Sequence, residues 1–227
     1  MARLGAGAAR RYRVFRPDQR GFGNSTPMRE DFPWTIDVPV ADLERFVSEI
    51  DVGSVHVVAA KFGGTVAIAF AARYPELVKM LSLVGVPPST KKSLGARIPS
   101  WLDCIRREGA PGWAKWTMGR RLGSAMPAAG VEWWTGFMGK TDSSTLLGFV
   151  SMLPDVDVTA ELAKIRCPTL VVTSDDSELG AVQEVEAWQR QIPDSKLVVL
   201  RRDSYHIAAS DADACARLTR DFIDQSA

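Results

Sequence analysis

Strand and helix signals alternate along this chain, which predicts an α/β fold: a mostly parallel sheet covered by helices on both faces. Three observations carry that prediction. Aliphatic runs without polar alternation recur at "VHVVAA" (55–60), "MLSLVGV" (80–86), "TLVVT" (169–173) and "KLVVL" (196–200), as expected of strands buried on both faces. Segments of helical periodicity stand between them. The 227 residues, 46% hydrophobic and 24% charged, suffice for one sizeable core.

Taken in order, "RYRVF" (11–15) reads as the first strand. In "ADLERFVSEI" the apolar residues Leu43, Phe46, Val47 and Ile50 fall at i, i+3, i+4 and i+7 and give a surface helix one inner face. A strand at 55–60 and a nearly all-apolar helix follow, the latter running through Val66, Ile68 and Phe70 to Pro75. From about Pro87 to Leu162 no strand signal appears. Glycines and prolines divide that stretch into short helices, and it holds Trp101, Trp113, Trp116, Trp133 and Trp134, five of the seven tryptophans. It reads as a helical lid inserted over the carboxyl ends of the strands, with its tryptophans as lid core or as walls of an apolar pocket. The organisation is then core (1–86), lid (87–162) and core again (163–227). Val185, Trp188 and Ile192 mark the next helix. Ser210 is placed to cap the last one, whose inner face is Cys215, Leu218 and Phe222, with Asp213 in its first turn.

Composition narrows the partners. With 28 basic and 27 acidic residues, no net field favours nucleic acid or an anionic membrane. Arg10, Arg11, Arg13 and Arg16 cluster without an aromatic platform and read as a solvated face. No apolar run reaches the roughly 20 residues of a membrane span, and none of signal-peptide length precedes the first arginines, so a cytoplasmic protein is expected. Cys104, Cys167 and Cys215 show no paired spacing and read as buried free thiols rather than zinc ligands or a disulfide framework. "GAGA" near the start precedes rather than follows a strand, so no dinucleotide cofactor is implied. The expected partner is a small molecule.

The chemistry concentrates at Lys61. It stands at the apex between a buried strand and a buried helix, flanked by the small Ala59, Gly63 and Gly64, which permit a tight, strained turn. Apolar neighbours and the helix amino terminus both disfavour an ammonium there. Of the two histidines, His56 begins a strand and reads as structural, whereas His206 follows "KLVVL" by a short loop and is the candidate base. Ser25, Ser177 and Ser204 sit on no such turn and read as loop or capping serines.

Four stretches in order resemble the α/β-hydrolase fold superfamily over almost the whole chain. "RPDQRGFGNS" (16–25) is similar to its D-x-R-G-x-G-x-S loop, "VVAAKFGG" to the nucleophile elbow G-x-S-x-G, "CPTLVVTSDD" to the seventh strand and acid loop, and "DSYHIAASD" to the histidine loop. The resemblance implies a site of Lys61, His206 and Asp176, with Asp175 the rival acid and the Phe62 N–H as an oxyanion donor. Trp113, Trp116, Trp133 and Trp134 would line the substrate side. The sequence departs from the family in three ways. Lysine replaces the elbow serine, and a lysine acylated by an ester would end as a slowly hydrolysed amide. Asp176 stands one residue earlier than the usual acid. The opening strands and the H-G oxyanion loop have no counterpart, which implies a reading frame begun late or a sheet that has closed up, the former being preferred because a whole cooperative part of the core is involved.

Three functional readings follow: an enzyme acting on a small apolar carbonyl or ester substrate, with Lys61 as an amine nucleophile and His206 moving protons; an inactive relative binding a small apolar ligand under the lid; and a remnant that binds nothing specific.

Overall fold

The computed structural model describes residues 11–225; the "GAGA" stretch and Arg10 lie outside them. Four parallel strands form one sheet in sequential order: β1 (Val55–Ala60), β2 (Val78–Val84), β3 (Thr169–Ser174) and β4 (Ser195–Leu200). Each β-to-β step carries a helical crossover, so the short connections of an antiparallel sheet are not needed.

Alternation along the strands assigns the two faces. Leu81, Leu83 and Val171 face a cluster with Val66, Ile68, Phe70 and Ile192, contributed by α1 (Asp37–Glu49), α2 (Phe62–Arg73), α7 (Val182–Gln189) and its flank. Val84, Leu170 and Val172 face the other way, against α8 (Ile207–Ser210) and α9 (Ala212–Gln225) through Ile207, Ala208 and Cys215. On that face the Ser82 and Thr219 hydroxyls meet at 3.0 Å, so the two buried polar groups satisfy each other. Helix α2 is buried from Gly64 through Ala71, and a Cβ on Gly64 would collide with Val86, which is why glycine is required at this approach of helix to strand.

Between β2 and β3 the chain is helical: α3 (Thr90–Leu94), α4 (Ile98–Leu122), α5 (Ala128–Met138) and α6 (Ser143–Met152), with short 3-10 turns. Gly109, at φ 67° ahead of Pro111, kinks α4. The ends of this excursion are tied together by a bridge between Ser89 and Asp157, with Val158 N–H donating to Pro88 O at 2.9 Å. Its core is a separate cluster, with Trp101, Ile105, Trp113, Leu146 and Val150, that meets the rest through Phe62 and Ile36.

Two sequence expectations are corrected. Residues 11–15 form no strand. Arg11 and Arg13, alternating with Tyr12 and Val14, give the segment too little apolar face to join the sheet, and it stays mostly exposed, with Tyr12 edge-on to His56 at 5.8 Å and Phe15 against Phe46 at 5.9 Å. Strand β1 is consequently an edge strand among the described residues, half-buried along its length. Ser210 does not cap α9; it ends α8, and its hydroxyl donates to the Asp211 carboxylate at 3.1 Å.

Candidate functional site

Lys61 sits where β1 turns into α2, with φ 56° and ψ −135°. Only it and Asp51 among the described non-glycine residues have positive φ. Such strain in a β-strand-to-helix junction persists only where packing enforces it. The enforcing contacts are the burial of α2 below and the Lys61 N–H donating to Val84 O at 3.4 Å. The loop around Asp18 approaches the start of α2, where a Cβ on Gly63 would meet Gln19 Nε2 at 3.9 Å. It is self-tied by Asn24 N–H donating to the Asp18 carboxylate at 2.9 Å and by Ser25 Oγ donating to Asp18 O at 2.9 Å, with Gly21 and Gly23 at positive φ.

The Lys61 amine reaches across the carboxyl ends of the strands to the loop after β4. Its Nζ donates to Tyr205 O at 3.1 Å and lies 4.1 Å from the centroid of the Tyr205 ring. Gly85, at φ 59°, lets that loop close in, since a Cβ there would come within 3.0 Å of Tyr205 O. Lys61 has no ion pair with a described carboxylate. Burial first, then the charges of Arg121 and Arg97, hold its ammonium well below the ordinary lysine range.

His206 is the next residue. Its backbone N–H is anchored by Arg121 O at 2.9 Å and by Ser204 Oγ at 3.1 Å, and its ring lies edge-on to Trp134 at 5.4 Å. Neither ring nitrogen has a hydrogen-bond partner among the described residues. Burial, then the neighbouring Lys61 and Arg121 charges, push it down to about 3, so near neutral pH the imidazole is uncharged.

The expected acids do not join it. Asp175 is exposed and accepts Arg202 N–H at 2.8 Å. Asp176 is exposed, and its N–H donates to Arg202 O at 3.2 Å. Both sit on the tight turn that ends β3, tied to the β4 exit through the Asp175 carboxylate and the Asp176 N–H, and neither carboxylate hydrogen-bonds His206. The carboxylate of this loop that turns inward is Glu178, bound by Arg97 NH1 at 3.2 Å and by Arg120 at 2.7 Å.

The tryptophans divide. Trp113 is buried against Trp101 at 5.4 Å, and Trp134 faces His206. Trp116 and Trp133 are instead exposed, at 53% and 60%, the latter stacked on Phe137 at 5.3 Å, because they occupy the outer faces of α4 and α5. The Phe62 N–H, first in α2, has no acceptor among the described residues, as the opening donors of a helix do not; its ring packs on Phe149 at 4.8 Å.

Sequence reasoning passed over Arg121 and Tyr205. Arg121 ends α4 with its guanidinium 4.6 Å from the Trp113 centroid, 5.3 Å from Trp101 and 6.0 Å from Tyr205. Tyr205 is buried, and burial raises its phenol while Arg121 opposes the rise. The adjacent "RR" of 120–121 and "YH" of 205–206 were the available signals, but which arginine turns inward depends on helix phase at the end of a kinked helix. No three His, Cys, Asp or Glu side chains among the described residues gather to hold a metal, and no described helix is long and apolar enough to cross a membrane.

A family model for the alpha/beta hydrolase fold matches residues 2–213. No curated protein matches the chain. Among solved structures, an esterase from Thermogutta terrifontis with malate bound superposes with a TM-score of 0.87 at 20% identity, covering 99% of this chain and 84% of that one. An enol-lactonase from Burkholderia xenovorans gives 0.85 at 19% identity, covering 98% and 85%. A bromoperoxidase from Bacillus anthracis gives 0.79 at 17%, covering 91% and 80%.

Proposed function

Because the chain belongs to the α/β-hydrolase fold family, we propose that Lys61 occupies the place of that family's elbow nucleophile and that the cleft above it handles a small apolar carbonyl or ester substrate under a lid formed by residues 87–162. The observation that carries this reading is the strained Lys61 turn, which holds an amine against Tyr205 O with two cations nearby and no described carboxylate to keep it protonated. A neutral amine is nucleophilic toward ketones and aldehydes. The Nζ lone pair forms the C–N bond as the carbonyl electron pair moves to oxygen; proton transfers convert that oxygen to water, which departs to leave an imine. His206, uncharged and adjacent, offers a ring nitrogen as the base that takes the proton leaving Nζ, and the free Phe62 N–H stabilises the oxygen while it bears charge.

Sodium borohydride trapping tests this directly. Incubating the protein with cyclohexanone and reductant should leave a secondary amine on Lys61 by peptide mass spectrometry, absent in Lys61→Met and far below Lys61 on the exposed Lys91 and Lys92. A trace spread over the surface lysines, or no adduct, overturns it. One observation favours a second reading, a binding protein without turnover: His206 has no carboxylate to orient it. That chain would bind ligand but trap nothing.

A further inference from the structure

Arg121 carries a positive charge that the described residues leave unanswered. On α4, Arg120 is exposed and pairs with the half-buried Glu178, and one residue later, about 100° around the helix, Arg121 points inward. Its Nε donates to Thr117 Oγ1 at 3.1 Å, one turn back, and aromatic faces surround the rest of the group. Its NH2 is buried with no hydrogen-bond partner. No described carboxylate lies in ion-pair range; Glu178 is ion-paired with Arg97 and Arg120, although its Oε2 is itself buried without a hydrogen bond. Cation–π contact with Trp113 and Trp101 offsets part of the desolvation. It cannot supply an acceptor to the orphaned donors, and a buried unmade hydrogen bond to a charged group is among the costlier defects a fold can carry.

We propose that Arg121 binds the carboxylate of a small carboxylic acid that enters the cleft at Lys61, its apolar body lying among Trp101, Trp113, Trp134 and Tyr205. Arg121 and Lys61 both stand over the Tyr205 ring, so a carboxylate on the first would bring the adjoining carbons of the ligand toward the second. Carboxylate is favoured over phosphate because only part of one guanidinium remains free and the walls are apolar: a planar monoanion is satisfied by few donors, whereas a dianion with three oxygens needs several. The proposal rests on the reading that ligand enters at Lys61, yet it is tested with an acid that has no ketone, so its failure and that of the imine chemistry are separable.

The probe is benzoate against benzamide, matched in size and shape, titrated calorimetrically into the full chain with tryptophan fluorescence as a second signal. Benzoate should bind at least tenfold more tightly than benzamide. Arg121→Met should weaken benzoate by roughly 10- to 100-fold, the worth of hydrogen bonds to a charged group, and leave benzamide little changed. Arg121→Lys, which keeps the charge and is a milder change should the methionine variant fail to fold, should recover part of the loss. Equal binding of benzoate and benzamide, wild-type benzoate affinity in Arg121→Met, no benzoate binding at all, or displacement of benzoate by inorganic phosphate at comparable concentration would each overturn the assignment.

Discussion

Arg73 and Arg121 end adjacent layers of the same molecule in opposite ways. Arg73, at the end of α2, is held by Asp37 at 2.6 Å and by Glu161 at 2.7 Å, and the Glu161 hydrogen bond leads in raising its pKa. Arg121, at the end of α4, is held by three aromatic rings and no carboxylate, and burial lowers its pKa. The first arginine joins elements: it ties α2 to α1 and to the 3-10 turn before β3. The second joins nothing that needs its charge. Arg73 is paired near the surface, whereas Lys61 and Arg121 are buried without an ion pair among the described residues, and that contrast is what motivates a ligand carboxylate in the cleft. A cavity of about 590 Å³ lined by Ala72, Pro75, Ile165 and Pro193 lies at the amino ends of the strands, the end opposite to where open α/β sheets take ligands, and holds none of these groups.

The largest expected effect is on acid stability. His206 in the folded chain sits at about 3, against 6.5 ordinarily, so below 6.5 the unfolded chain takes up a proton that the folded chain refuses. Stability contributed by the neutral histidine is therefore complete above about 6.5 and is lost as pH falls toward 3, by about 1.4 kcal/mol per pH unit. His206→Phe keeps a ring against Trp134 and cannot titrate. Urea denaturation of the two proteins between pH 7 and pH 4 should show the wild type losing ground to the variant over that window; parallel curves would mean that His206 is solvated and that the cleft is not the cationic, dry place the contrast with Arg73 requires.

Next comes Glu178→Gln. It removes the carboxylate shared by Arg97 and Arg120 and leaves Arg97's charge free to act on Lys61. A loss of about 1–2 kcal/mol in urea denaturation is expected, less than for a fully buried pair because Arg120 is exposed. An unchanged midpoint would show that the loop after β3 is fixed by its backbone alone.

The sheet strands were readable in the sequence because their signal is local: "TLVVT" and "KLVVL" are each long enough and apolar enough to be buried wherever they go. "RYRVF" carries the same local β-branched and aromatic signal without a face to bury: it lies beside the open edge of β1, with Tyr12 against His56, and does not pair with it. Lys61 was legible as a turn because small residues flank it. The acid was not. Asp175 and Asp176 differ from Glu178 by two or three positions, and which of them faces inward depends on how the turn after β3 meets Arg202, Arg97 and Arg120, residues distant in sequence. Trp113 and Trp116 make the same point on a helix: three residues apart, one is core and the other solvent, because where the edge of the buried face of α4 falls is set by the elements packed on it and not by its own periodicity.

The smallest expected effect sharpens the contrast most. Arg73→Met breaks two ion pairs that are partly solvated, so it should destabilise by no more than about 1 kcal/mol, shrinking further in about 1 M salt, where the Debye length falls to roughly 3 Å. Arg121→Met should have the opposite sign or none: methionine fills the same aromatic slot while removing a charge and a buried donor that the free protein never satisfies, and such replacements are neutral to stabilising. Each variant is compared with wild type by urea midpoint at neutral pH, in low and high salt. A loss on Arg121→Met as large as on Arg73→Met would mean that its charge is already compensated within the protein, and the case for a ligand carboxylate would lose the observation that started it.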